Sequence, residues 1–248
     1  QARRWRLLQK ERALHAAFID ALALLLTGRY LRARKAAQQA LDFELDLRNS
    51  LRIGESLPRH LQALRVLTEL VAAESAHALR DRSARQQHLA QALALQAPGQ
   101  YTALTETLDA ARLSAARWTL DDREPSAALE LLDQLPRGLA RRTLALRLRL
   151  KASRLLRKHS LALETARLLN NHGAFSEVAA ASLLRGLTLS SLKQCDDAPQ
   201  LLQIWSQLQP AEILSPEMAC AMARRWLDLS GEPQRALQWL TPIWDEYT

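Results

Sequence analysis

The sequence predicts an all-α protein, and three observations carry that expectation. Leu, Ala, Arg and Gln dominate the 248 residues, with only 7 Gly, 12 aromatics and few β-branched residues. These are strong helix formers, and no segment alternates apolar and polar residues in the period of a half-buried strand. A stripe of small or apolar residues at i, i+4 and i+7, one slim face of a helix, recurs along the chain.

The stripe reads Ala33/Ala37/Ala40, Arg85/Leu89/Ala92, Ala128/Leu132/Leu135, Ala162/Ala166/Leu169, Ala198/Leu202/Trp205 and Ala236/Leu240/Ile243. Five residues before each lies a turn position: Gly28, Arg80, Arg123, Arg157, Lys193 and Gly231. Each turn follows an apolar-periodic stretch, such as residues 143–156, so twelve helices in six antiparallel pairs are expected. Pro125 and Pro233 precede their stripe alanines by three residues, in the first turn, where a helix tolerates proline. Pro98, Pro136 and Pro210 mark where second helices stop. The long first interval is read as an extended loop over 42–60, and residues 1–12 as a basic lead-in to one repeat domain over 13–248.

These copies, clearest in "TGRYLRARKAAQQAL" (27–41) and "SGEPQRALQWLTPI" (230–243), resemble the tetratricopeptide repeat. That resemblance implies an α-solenoid of about six hairpins in a right-handed superhelix. Stacked hairpins touch mainly their neighbours and present a long curved surface, suited to binding other molecules.

The formal charge of +8 favours an acidic partner, although a solvated Arg-rich outer face would give the same balance. Residues 137–159 hold nine Lys or Arg and no Asp or Glu. Within them Arg147, Lys151 and Arg154 share one helical face by spacing alone. The tetratricopeptide register implies that this face, bounded by Leu144 and Leu155, lines the concave groove. It adds Glu74, His77, Arg117 and Arg225 from other units, with Phe18, Leu183 and Ala221 at equivalent places. The groove positions show no series of stacking aromatics, so no specific nucleic-acid partner is expected.

No glycine-rich phosphate loop, dinucleotide fingerprint or nucleophile elbow occurs, and no His pair has metal-site spacing on one face. A non-enzyme without metal or required cofactor is expected. Cys195 and Cys220 form no metal or disulfide pattern and read as reduced, buried thiols, Cys220 packing with Met218 and Met222.

In order along the chain, "ARRWRLLQKERALHAAF", "LLTGRYLRARKAAQQAL", "RQQHLAQALALQAP", "AALELLDQLPRG", "LQIWSQLQP" and "AMARRWLDLSGEPQRALQWL" resemble the HemY family of bacterial tetratricopeptide proteins associated with haem biosynthesis. The resemblance implies a scaffold on the cytoplasmic side of the inner membrane, with haem-synthesis enzymes as partners and haem itself as a candidate ligand, contacted by His77. It also implies that this chain is the soluble part, cut just after two membrane helices. Arg3, Arg4, Trp5 and Arg6 then lie next to the membrane, where basic flanks and Trp are favoured. The competing reading is a general protein-interaction adaptor with no tetrapyrrole link.

Overall fold

A computed structural model describes residues 2–52, 55, 57–95, 102–230 and 232–247, and among them every regular element is a helix. The chain forms two compact units, Gln1–Trp118 and Thr119–Thr248.

In the first unit, α1 (Ala2–Leu26) packs on α2 (Tyr30–Asn49), and α2 on α3 (Arg59–Ala78). α3 in turn packs on α4 (Arg82–Leu93), and α5 (Thr102–Asp121) follows. Leu14 and Ala17 of α1 meet Ala40 and Leu47 of α2 and Leu61 of α3. Farther along, Ala63, Val66, Ala92, Leu104, Leu108 and Ala111 join α3, α4 and α5 in a second core. The basic lead-in is therefore the start of α1, continuous with its buried part.

The second unit comprises α6 (Pro125–Asp133), α7 (Arg137–Ala140), α8 (Thr143–Leu155), α9 (His159–Asn171) and α10 (Glu177–Lys193). It continues with α11 (Ala198–Ser206), α12 (Pro210–Ile213), α13 (Pro216–Ser230) and α14 (Pro233–Tyr247). α8 packs on α9, α9 on α10, and α13 on α14. Leu146 and Leu150 of α8 bury against Ala162, Leu163, Ala166 and Leu169 of α9 and Leu187 of α10. Around α13, Trp239 stacks on Trp205 at 4.7 Å between ring centroids and meets the Trp226 edge at 5.5 Å.

The stripe residues are the inner faces of these helices. Ala33, Ala37, Ala40, Ala162, Ala166 and Leu169 are each fully buried. Small side chains there let paired helices approach closely, which is why the motif repeats.

Four of the six turn positions share one backbone construction. Gly28, Arg80, Arg123 and Arg157 all adopt left-handed φ, at 74°, 62°, 65° and 55°. Each turn residue's N–H bonds to the carbonyl three residues back. The next N–H reaches five back, as in Arg123 N to Leu120 O (3.1 Å) and Glu124 N to Thr119 O (3.0 Å). This is the Schellman closure of a helix C-terminus, normally made with glycine. Three of these four turns use arginine instead. Gly173, φ 66°, builds the same closure after α9. Lys193 differs: it ends α10 with the ordinary helical conformation carried on to Gln194, and only three-residue bonds follow. Gly231 and Pro98 lie outside the described residues.

Three expectations change. Residues 42–49 are not loop but the last two turns of α2, because Ala40, Phe43, Glu44 and Leu47 continue its inner face. Pro136 and Pro210 do not simply stop second helices: each begins an additional one-turn helix, Pro136 as the N-cap of α7 and Pro210 as the first residue of α12. Cys195 is buried, but Cys220 is exposed while its neighbours Met218 and Met222 are buried, since it faces away from the inner side of α13.

Candidate functional site

The sequence-derived cations fall into two groups, those that meet an acid or carbonyl and those that do not. In the first unit the residues mapped to adjacent units do converge. Arg117 Nη2 and Trp118 Nε1, the latter at 2.8 Å, both donate to Glu74 Oε2. The His77 ring lies 5.9 Å from the Trp118 indole, and Arg85 Nη1 donates to His77 Nδ1 at 2.8 Å. A guanidinium cannot accept, so Nδ1 is the acceptor and the neutral ring carries its proton on Nε2. Neither nitrogen of that tautomer offers an open lone pair, so His77 in this arrangement does not fit an iron ligand. Arg117 is an internal ion-pair partner.

At the N-terminus Arg3 turns back onto the connection between α2 and α3. Its guanidinium bonds Glu55 at 2.8 Å and the Ser50 carbonyl at 3.3 Å. That bond, with the Arg52 N–H as second donor, lowers the Glu55 carboxyl from its ordinary 4.5 to about 2. Arg4, Trp5 and Arg6 are exposed, Trp5 at 63%.

In the second unit Arg225 Nε donates to the Cys195 carbonyl at 3.0 Å, and Nη2 shares that acceptor. It closes the peptide chain just past α10 and serves the fold. The α8 face divides as well. Arg147, Lys151 and Arg154 are all exposed on it, flanked by Leu144 and Leu155. Lys151 Nζ pairs with Asp121 Oδ1 at 3.3 Å, and Arg149 of the neighbouring face pairs with Asp133. Arg154 lines a cavity.

That cavity is a groove of about 780 Å³ between the C-terminal halves of α8 and α10, with the start of α9 at its end. Arg154, Arg157, His159 and Lys193 contribute charge or potential charge, and no Asp or Glu lines it. Its floor is Leu183, Gly186 and Leu187, with the hydroxyls of Ser182 and Ser190 along α10. Among the described residues Arg154, Arg157 and Lys193 make no ion pair, unlike Lys151, Arg117 and Arg3. His159 Nδ1 is buried without a hydrogen-bond partner.

Arg154 and Lys193 sit in the last turns of α8 and α10, where cations answer the helix dipole. Two C-termini supply only about half a negative charge each, and the N-terminus of α9 returns about half a positive one. Three full positive charges exceed that several-fold, so the groove keeps a net positive field suited to carboxylates or phosphates.

Sequence spacing located Arg154 and Leu183, which do face this groove. It classed Arg157 and Lys193 as turn residues and did not weigh Gly186 or His159 for the groove. Hairpin geometry puts those turns at the groove's end, which no spacing along one helix reveals.

Among the described residues no three His, Cys, Asp or Glu side chains converge to hold a metal ion. Among the described residues no helix is long and apolar enough to cross a membrane. Comparison with family models, curated proteins and solved structures returned no match.

Proposed function

We propose that this chain is a non-catalytic scaffold, a tetratricopeptide-like solenoid of helical hairpins that holds an acidic partner in a basic groove. The observation that carries this reading is the α8–α10 groove, where Arg154, Arg157 and Lys193 stand together without an acid to neutralise them. The shared left-handed turn at Gly28, Arg80, Arg123 and Arg157 supports the repeat. The binding site is a surface trough, and its residues offer recognition chemistry rather than a nucleophile with an oriented base.

The resemblance of the ordered segments to the HemY family makes the partners haem-biosynthesis enzymes at the bacterial inner membrane. The exposed Arg4, Trp5 and Arg6 at the start of α1 suit a membrane-proximal position. The general adaptor is the alternative. Immobilised chain incubated with detergent-solubilised bacterial membranes, followed by mass spectrometry, separates the two. Haem-pathway enzymes retained by the parent and lost in the Arg154→Glu/Lys193→Glu variant are expected. Retention of unrelated complexes alone would replace the pathway role by the adaptor, and unchanged capture by the variant would remove the groove from the reading. A haemin titration followed by absorbance asks separately whether haem is a ligand.

A further inference from the structure

We propose that the occupant of the α8–α10 groove is an α-helix of a partner protein, laid along α10 with an acidic turn between Arg154, Arg157 and Lys193. This deepens the scaffold reading and rests on it for the groove, though not for the pathway. The groove's chemistry is graded along its length. Its cations gather where α8 and α10 end, whereas the stretch from Ser182 to Ser190 offers small and apolar groups. Ser182, Gly186 and Ser190 are four residues apart and so form one row about 12 Å long. A compact anion would need only the charged end, but a helix with one acidic turn followed by a small, apolar face matches the whole length.

Gly186 is the telling residue. It sits in the interior of α10, where glycine is less favourable than alanine. A Cβ built on it would meet no atom within 4 Å, so neither packing nor a left-handed backbone requires glycine there. What glycine does provide is an unobstructed floor for close approach of a second helix. Ser190 folds its hydroxyl back onto the Gly186 carbonyl at 2.8 Å, which keeps the row low and leaves its oxygen lone pairs outward.

Arg157 supplies the second argument. It holds a left-handed φ of 55°, a conformation costly for a residue with a Cβ, at a turn where Gly28 and Gly173 show what the backbone prefers. Its side chain lines the groove and makes no ion pair among the described residues. Arg80 and Arg123 hold the same left-handed turn outside this groove, so what bears on recognition is the place of the Arg157 side chain at the groove's charged end.

The test uses the whole chain and a fluorescein-labelled 18-residue helical peptide, Ala/Leu-rich with three Glu in its first two turns. Binding is read by anisotropy, with helical circular dichroism checking that each variant folds. The parent is expected to bind saturably and the Glu→Gln peptide at least tenfold more weakly. Gly186→Leu, which fills the floor, should lose at least tenfold, while the small dicarboxylate glutarate should not compete. Arg157→Gly should lose about fivefold while melting at a higher temperature, a combination that a purely structural arginine cannot give. Arg123→Gly, at a turn outside the groove, should melt higher with binding unchanged. Peptide binding that survives Gly186→Leu, equal binding of the Gln peptide, or displacement by glutarate would overturn the helix assignment. Failure to capture haem-pathway enzymes alongside a positive peptide result would refute the pathway and leave this inference standing.

Discussion

Replacing Arg123 by glycine should stabilise the protein, because the turn after α5 forces this residue to φ 65°. An L-residue in that region carries roughly 1–2 kcal/mol of steric cost that glycine escapes. Glycine gives back about 0.4–1 kcal/mol through the greater freedom of the unfolded chain. Arg123 is exposed and makes no side-chain bond among the described residues, so little contact energy is lost. The net gain is about 0.5–1 kcal/mol, since the hydrogen bonds from Arg123 N to Leu120 O and Glu124 N to Thr119 O are backbone bonds that glycine keeps. For a chain of this size that corresponds to a melting temperature higher by roughly 1–4 °C. Thermal melts by circular dichroism would read the shift, with urea titration giving the free energy. Arg123→Ala is the control: it deletes the guanidinium but keeps the Cβ, so it should stay within about 0.5 kcal/mol of the parent. A glycine variant that melts at or below the parent temperature would refute the strain argument and show that the guanidinium itself stabilises the turn.

Two further outcomes follow from the local chemistry. The Glu55 carboxyl, held down first by the Arg3 side-chain bond and then by the Arg52 N–H, should titrate near pH 2 in a carbon-detected NMR series. The folded value is depressed, so the contribution of this contact is fully present above the ordinary value of 4.5 and is lost as pH falls through about 2. Arg3→Ala should move the midpoint up toward the ordinary value, and a parent midpoint already near 4.5 would show that the clamp is not formed. Of the two thiols, exposed Cys220 should react with a maleimide within minutes. Cys195, whose thiol is pushed up by burial and donates to the Asp197 carbonyl at 3.2 Å, should react only on unfolding. Peptide mapping of the labelled sites checks this, and equal labelling of both would contradict the packing around α10 and α13.

The sequence by itself determined the helices, their inner faces and the places where pairs of them turn. Those features are local. A buried stripe must repeat at i, i+4 and i+7 because the helix has 3.6 residues per turn, and Ala33, Ala37 and Ala40 or Ala162, Ala166 and Leu169 are buried on that account. Counting back from each stripe reached Gly28, Arg80, Arg123 and Arg157, all left-handed, even where the glycine that normally signals such a turn is gone. The same locality explains the misreading of residues 42–49. Acidic residues interrupt the apolar pattern there, yet Glu44 is 4% exposed because Arg48 pairs with it on the next turn.

What only the tertiary structure decided is which charges remain available. Arg147, Lys151 and Arg154 are equivalent in sequence, three cations on one face of one helix. Their different fates depend on residues far along the chain: Asp121 takes Lys151, whereas Arg154 finds Arg157, Gly186 and Lys193 around it and no acid. Arg117 and Arg225 are drawn inward in the same way by Glu74 and the Cys195 carbonyl. Charge pairing is settled by distance in space, over a few ångströms, and spacing along a helix fixes such distances only within that helix.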